Sequence, residues 1–269
     1  MTCLYKSVSM ATKTLARLCY GKTSDATNTR AAIHSIVPLC KIGNDSSGNK
    51  LIKLLTNLGG TNKNVVTKYT NGACKRDPNA RTGLAVLPIY KDGRRGCFFD
   101  AASNATFTAT QMSEMIQEVT SDLSSTIQGA FLFGYPHLLP KMQGEALAQI
   151  FISARSSMKN GGIVAMDLNG VPECPFTKSQ ALRSVDDLKS DTIIGPALSH
   201  VDILHMNEEE LALLTGCKLT GTSEDDDAIV EACSLFLKCG VAVIAVTRGS
   251  KGSIISCNDD KRFAHSQML

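Results

Sequence analysis

Apolar runs along the second half of the chain alternate with longer amphipathic stretches. A helix over 109–119 precedes "GAFLFGY" at 129–135, and a helix over 141–158 precedes "GIVAMDL" at 162–168. A helix near 177–188 leads to "VDILHM" at 201–206, and helices over 207–215 and 224–238 lead to "VAVIAVT" at 241–247. Short runs that are apolar throughout, separated by helices, predict a parallel sheet covered on both faces.

The first hundred residues follow a different rhythm. Residues 11–19 have helix propensity, and "YGKTSDATNTR" after them reads as loop. "SIVPLCKIG" at 35–43 suits a strand, with Pro38 kept out of a central ladder position. Leu51, Leu54, Leu55 and Leu58 repeat at helical spacing until Gly59 and Gly60 end the run. "NVVTKYT" is a short strand candidate. Two strand-like runs, 83–90 and 95–99, flank "KDGR", where Asp92-Gly93 supplies the positive φ angles of a type I′ turn. An antiparallel hairpin therefore interrupts the α/β alternation. No internal repeat or low-complexity segment occurs.

Composition narrows the class. The 269 residues suit one sizeable α/β domain or two small ones, and 43% hydrophobic with 20% charged residues can build a core. A net charge of +3 is too small to imply a nucleic-acid or membrane partner, and 5% aromatics without Trp argue against base-stacking platforms. No apolar run approaches membrane-spanning length. The ten Cys form no CxxC pair, and Cys40, Cys97, Cys233 and Cys239 lie in apolar contexts. They read as reduced, buried thiols of a cytoplasmic protein, and the five His do not cluster with them as a zinc site requires. Lys6, Lys13, Arg17 and Lys22 precede the first acid, Asp25. That pattern over residues 1–24 fits an organelle transit peptide or, preferably, a basic helix face with Leu15 and Leu18 turned inward.

In an open parallel sheet, ligands bind beyond the carboxyl ends of the strands, where helix N-termini and loop amides point outward. The residues there are Asn169-Gly170, "NEEE" at 207–210 and "TRGSKG" at 247–252. "TRGSKG" lacks P-loop spacing. Thr247 can hydrogen-bond a phosphate, Gly249 and Gly252 allow close approach of backbone amides, and Arg248 and Lys251 add positive charge. A turn joining two strands explains the glycines equally well. Asn207 is a good N-cap, and acids in the first helical turn suit the dipole, which accounts for all three Glu. Asn207 and Glu210 also share one face, where a carboxylate can hold hydrated Mg²⁺ beside a nucleotide phosphate.

In order and spacing these motifs resemble the PfkB family of carbohydrate kinases, with the ribokinase-like fold. The resemblance rests on "N-x-x-E…LTG" at Asn207, Glu210 and Leu214-Thr215-Gly216, and on "T-x-G-x-x-G" at Thr247, Gly249 and Gly252. "KIGNDSSGNKLIKLL" looks like the family's strand-end "GxVGxDxxG", and "RTGLAVLPIYKDGRRGCFFDAASNATF" like its lid hairpin and "GANAxL" stretch, with Asn104 at the Asn. The implied fold is a three-layer α/β/α domain over 1–269, with a mainly parallel sheet and a β-hairpin lid at 81–100. The implied chemistry is transfer of the γ-phosphate of ATP to a hydroxyl of a sugar or nucleoside. Carried over, Asn207, Thr247, Gly249 and Gly252 line the nucleotide site, Glu210 organises Mg²⁺ through water, and Asn104 stands near the sugar. Lids of this kind can pair between subunits, which implies a homodimer.

The family's catalytic Asp belongs to a "GAGD" motif some tens of residues after "TxGxxG", and this chain has none. Asp259 and Asp260 lack the glycines, so no catalytic base is assigned. Lys6, Ser7 and Met10 stand where glycines and Asn are usual, and Val171 where many relatives carry Arg. The resemblance therefore implies a domain incomplete at both ends, with one sheet face bared as an apolar patch. A second reading is a catalytically dead relative that binds nucleotide or a partner chain. A NAD-binding Rossmann protein is disfavoured, because no GxGxxG follows a strand.

Overall fold

Strand β1, Cys40–Gly43, begins two residues after Pro38, so the imino acid takes no place in the ladder. This computed structural model describes residues 37–58, 73–91, 96–121, 129–170, 183–220 and 225–258. They fall into two compact units that divide after Phe107.

In the first unit, β1 pairs in parallel with β2, Cys74–Asp77, in the register Cys40–Cys74 to Gly43–Asp77. The expected helix is α1, Ser46–Leu58, with Leu55 buried and Leu54 turned outward. Asp45 ties this helix to the chain that leaves β2. Its Oδ1 accepts the Gly48 amide at 2.8 Å, one of the free donors of the first turn. It also takes the Thr82 hydroxyl at 2.6 Å, and Oδ2 takes the Thr82 amide at 2.8 Å. Strands β3, Leu84–Val86, and β4, Phe98–Asp100, form the expected antiparallel pair. The turn at Asp92-Gly93, the strand expected at 64–70 and the helix expected at 11–19 lie outside the described residues.

The second unit begins with α2, Ala109–Ser121, which buries Met112, Met115, Ile116 and Val119, one face at helical spacing. Next come β5, Ala130–Gly134; α3, Glu145–Ser157; β6, Ile163–Asp167; and α4, Val185–Lys189. The unit continues with β7, Ile203–Asn207; α5, Glu208–Thr215; α6, Asp226–Lys238; β8, Val243–Thr247; and β9, Ser253–Cys257. The sheet order is β5-β6-β7-β8-β9, parallel except for β9, which runs antiparallel to β8.

Burial alternates along these strands. Phe133, Val164, Met166, Leu204, Met206, Ile244 and Val246 form the buried face, where Phe151 of α3 meets Phe133 edge-on at 5.8 Å. On the other face Leu132 is 56% exposed and Ile255 68%. Both residues lie on the outermost strands, β5 and β9, whereas Ala165, Ile203, Val243 and Ala245 on the inner strands of that face are half-buried. Uniformly apolar strands carry no signal for which of their two faces is the more deeply covered. The thiols differ from expectation: Cys233 and Cys239 are buried, but Cys97 and Cys257 are exposed.

Candidate functional site

The last register pair of β7 and β8 joins Asn207 to Thr247, so the two strand tips are immediate neighbours. Asn207 ends β7 in extended conformation and caps α5. Its Oδ1 accepts the Glu210 amide at 2.8 Å, and Glu210 Oε2 accepts the Asn207 amide at 2.8 Å. This reciprocal capping box satisfies two free donors of the helix. It also fixes the Glu210 carboxylate, 7% exposed, beside the strand tip. Burial pushes the Glu210 carboxyl above its usual range, and the Asp167 charge adds to this, while the Asn207 and Gly170 amides pull it back.

Thr247 is exposed and leads into a 3₁₀ turn, Gly249–Lys251, before β9. Gly249 and Gly252 have φ of 58° and 88°, and a Cβ at either would meet nothing within 4 Å. The glycines therefore serve the hairpin turn and also leave the loop backbone open to a ligand. Arg248 and Lys251 depart from the expected positive contribution. Arg248, 5% exposed, donates to Glu208 at 3.2 Å and to Asp226, and Lys251 Nζ meets Glu208 at 3.0 Å. Glu208, read from the sequence only as a dipole-matching acid, holds both cations.

The neighbouring tip of β6 adds residues that sequence reasoning missed. Asp167 pairs in register with His205, and its Oδ1 lies 2.7 Å from His205 Nδ1. Asn169, at φ 48°, donates its side-chain amide to the other oxygen of Asp167. The bond to Asp167 raises the His205 pKa against the opposing effect of burial. At the tip of β5, His137 Nδ1 is buried without a hydrogen-bond partner among the described residues, and burial lowers its pKa. Its ring sits where a Cβ on Gly170 would come within 2.8 Å. The visible signal for Asp167 and His205 was only their place at strand ends.

The His205 pair has a definite pH signature. A raised folded-state pKa stabilises fully below the unfolded value and is lost as pH rises through the folded one. Asp167→Asn removes the acceptor charge, so the His205 titration midpoint, read by NMR of its ring protons, is expected to fall. An unchanged midpoint would contradict the pairing.

Asn104 belongs to the first unit, in a 3₁₀ turn, Ala102–Thr106, after β4. It is 9% exposed, and Gly83 makes room for it, since a Cβ there would lie 2.7 Å from Asn104 Nδ2. Around this turn Lys41, also 9% exposed, binds Asp77 at 3.0 Å, Thr106 O at 3.1 Å and Thr106 Oγ1 at 2.8 Å. Ser103 Oγ donates to Lys41 O at 3.2 Å. Lys41 and Asp77 were not anticipated: Lys41 was read only as part of a strand, and Asp77 ends β2, whose "CKRD" carries little apolar pattern. Asn207, Glu210, Thr247, Gly249 and Gly252 come together in the second unit. Val171 and the acids at 259 and 260 lie outside the described residues.

Known proteins agree with this architecture. Solved structures with the same fold include an Arabidopsis thaliana ribokinase complexed with ribose and ATP. It is 22% identical with a TM-score of 0.54, covering 84% of this chain and 59% of that one. A Xylella fastidiosa fructokinase with bound ATP is 17% identical with a TM-score of 0.54, covering 93% and 64%. The fold is thus the ribokinase-like three-layer α/β arrangement with a mainly parallel sheet. Residues 35–268 match the pfkB family carbohydrate kinases, and the chain belongs to that family. "Probable fructokinase-5" of Arabidopsis thaliana is 27% identical over 214 residues, 79% of this chain. The chain spans 55% of that relative's length. Among the described residues no helix is long and apolar enough to cross a membrane, and no group of three or more His, Cys, Asp and Glu is placed to hold a metal ion.

Proposed function

We propose that this chain transfers the γ-phosphate of ATP to a hydroxyl of a sugar or nucleoside. Asn207, Thr247, Gly249 and Gly252 surround the nucleotide phosphates in this reading, and Asn104 contacts the acceptor. The observation that carries it is the Asn207–Thr247 register pair, which joins a helix N-terminus to an open glycine bend at neighbouring strand ends. Glu210 fits a water-mediated Mg²⁺: its carboxylate is buried, and its pKa is raised partly by the Asp167 charge, a strain that a divalent cation relieves. Bound there, Mg²⁺ neutralises charge on the transferring phosphates.

A nucleotide-binding relative without turnover is the second reading. The tying of Arg248 and Lys251 to Glu208 and Asp226 favours it, since their charge is already compensated. A phosphotransfer assay with labelled ATP and a panel of sugars and nucleosides separates the two. Turnover that Asn207→Ala removes, with the fold retained, supports the kinase. Binding of Mg–ATP without turnover supports the second reading. Absence of Mg–ATP binding overturns both.

The hairpin is proposed to pair between subunits. Val86, Ile89 and Phe98 are 49%, 71% and 69% exposed, an apolar surface suited to a second copy. Sedimentation equilibrium is expected to show a dimer that Phe98→Ser weakens, and a monomer at every concentration would contradict this. The free cysteines fit a reducing compartment, and the cytoplasm is the proposed location.

A further inference from the structure

Cys40 and Cys74 are the first residues of β1 and β2, and they stand directly opposite each other in the parallel register. Their Sγ atoms lie 3.2 Å apart. Neighbouring strands run about 4.8 Å apart, inside the Cα separation of roughly 4.4–6.8 Å that a disulfide spans. Closing to an S–S bond of about 2.05 Å needs a small sulfur movement. It falls at strand starts, where the ladder is not continued on both sides.

We propose that Cys40 and Cys74 form a dithiol site that a hydroperoxide converts to a reversible disulfide, cross-linking β1 to β2. The Cys40 hydrogen bond, helped by Arg76, holds the Cys74 thiol below its ordinary range, so Cys74 reacts first. Its sulfur attacks the peroxide, the O–O bond breaks, and one water (or, from an organic hydroperoxide, the alcohol) leaves with the thiol proton. Cys74 is then a sulfenic acid. Cys40 Sγ attacks that sulfur, the S–S bond forms, the S–O bond breaks, and water leaves with the Cys40 proton. The two thiols lose two electrons and two protons, and the peroxide gains them. Cys74 is buried and Cys40 partly exposed, so a small oxidant reaches the pair from the Cys40 side; Cys233 is buried too, and its thiol is pushed up to about 11. The Lys41–Asp77 ion pair at 3.0 Å lies on the same two strands, so the cross-link closes beside the Asn104 turn.

The test is stoichiometric hydrogen peroxide added to the reduced full chain, followed by alkylation and peptide mapping without reductant. The expected result is a Cys40–Cys74 linked peptide two hydrogens lighter than its reduced parts. Dithiothreitol restores both thiols, and the oxidised protein melts about 5 °C higher because a loop is closed. Cys40→Ser is expected to leave Cys74 as a sulfenic acid that dimedone traps. The wild-type map needs no variant, so a poorly folding substitution does not obscure the answer. Full alkylation of Cys40 and Cys74 after peroxide, or disulfides that join other cysteines while these two stay free, overturns the proposal.

Discussion

Gly43→Ala is expected to unfold the first unit well below the melting temperature of the parent chain. A Cβ at Gly43 would lie 2.4 Å from Ala80 O, 2.5 Å from the Arg81 carbonyl carbon and 2.5 Å from Thr82 N. All three are backbone atoms, so no side-chain rotation relieves the clash. The segment they belong to is also held in place: the Thr82 hydroxyl accepts the Gly43 amide at 3.0 Å and donates to Asp45, and the Thr82 amide donates to Asp45. Moving residues 80–82 away breaks those bonds as well. Overpacking of this kind costs on the order of 3 kcal/mol, a large share of the stability of a small unit. Gly249→Ala is the matched comparison. It has open space around it but a φ of 58°, so it costs only the left-handed strain of about 1 kcal/mol. Thermal unfolding and limited proteolysis of both variants check the contrast, and equal losses would contradict the packing at the β1 tip.

Glu210→Gln is expected to separate stability from binding. The folded-state pKa of Glu210 is raised, chiefly by burial. A raised acid contributes stability that is complete below its unfolded value and lost as pH rises through the folded value. Glutamine carries no such loss and still accepts the Asn207 amide, because capping boxes take Glu or Gln. The variant should therefore melt at or above the parent at pH 7.5, with the difference in its favour shrinking toward pH 4. It should also lose the carboxylate charge proposed to organise Mg²⁺, and Mg²⁺-dependent nucleotide affinity is expected to fall roughly tenfold. Melting curves across pH and titration calorimetry with and without Mg²⁺ read the two effects. A variant that melts lower and binds equally well would assign Glu210 a capping role alone.

Where the chain wrote its structure twice, in local pattern and in punctuation, the elements were legible. The α5 boundaries follow from an Asn cap, three acids and a terminal Gly216 in the left-handed conformation at φ 74°. The pairing of Asn207 with Thr247 followed from alternation of strand and helix, which puts sequential strands side by side. β2 escaped notice because "CKRD" offers three polar residues in four, and its partner β1 lies 34 positions earlier. Pairing at that distance is a tertiary effect with no local trace. The same holds for Arg248. Its charge was plain, but the acids that compensate it come from two other helices, Glu208 at the start of α5 and Asp226 at the start of α6. His205 and Asp167 meet only through the β6–β7 register.

The phosphate pocket proposed at Asn207 and the Thr247–Gly252 bend has one most direct test, backbone amide NMR of the 269-residue chain titrated with Mg–ATP. Saturable shifts at the amides of Asn207, Thr247, Gly249 and Gly252, lost together on removal of nucleotide, are the expected result. No saturable shift at these four amides, whatever happens elsewhere in the spectrum, would contradict it.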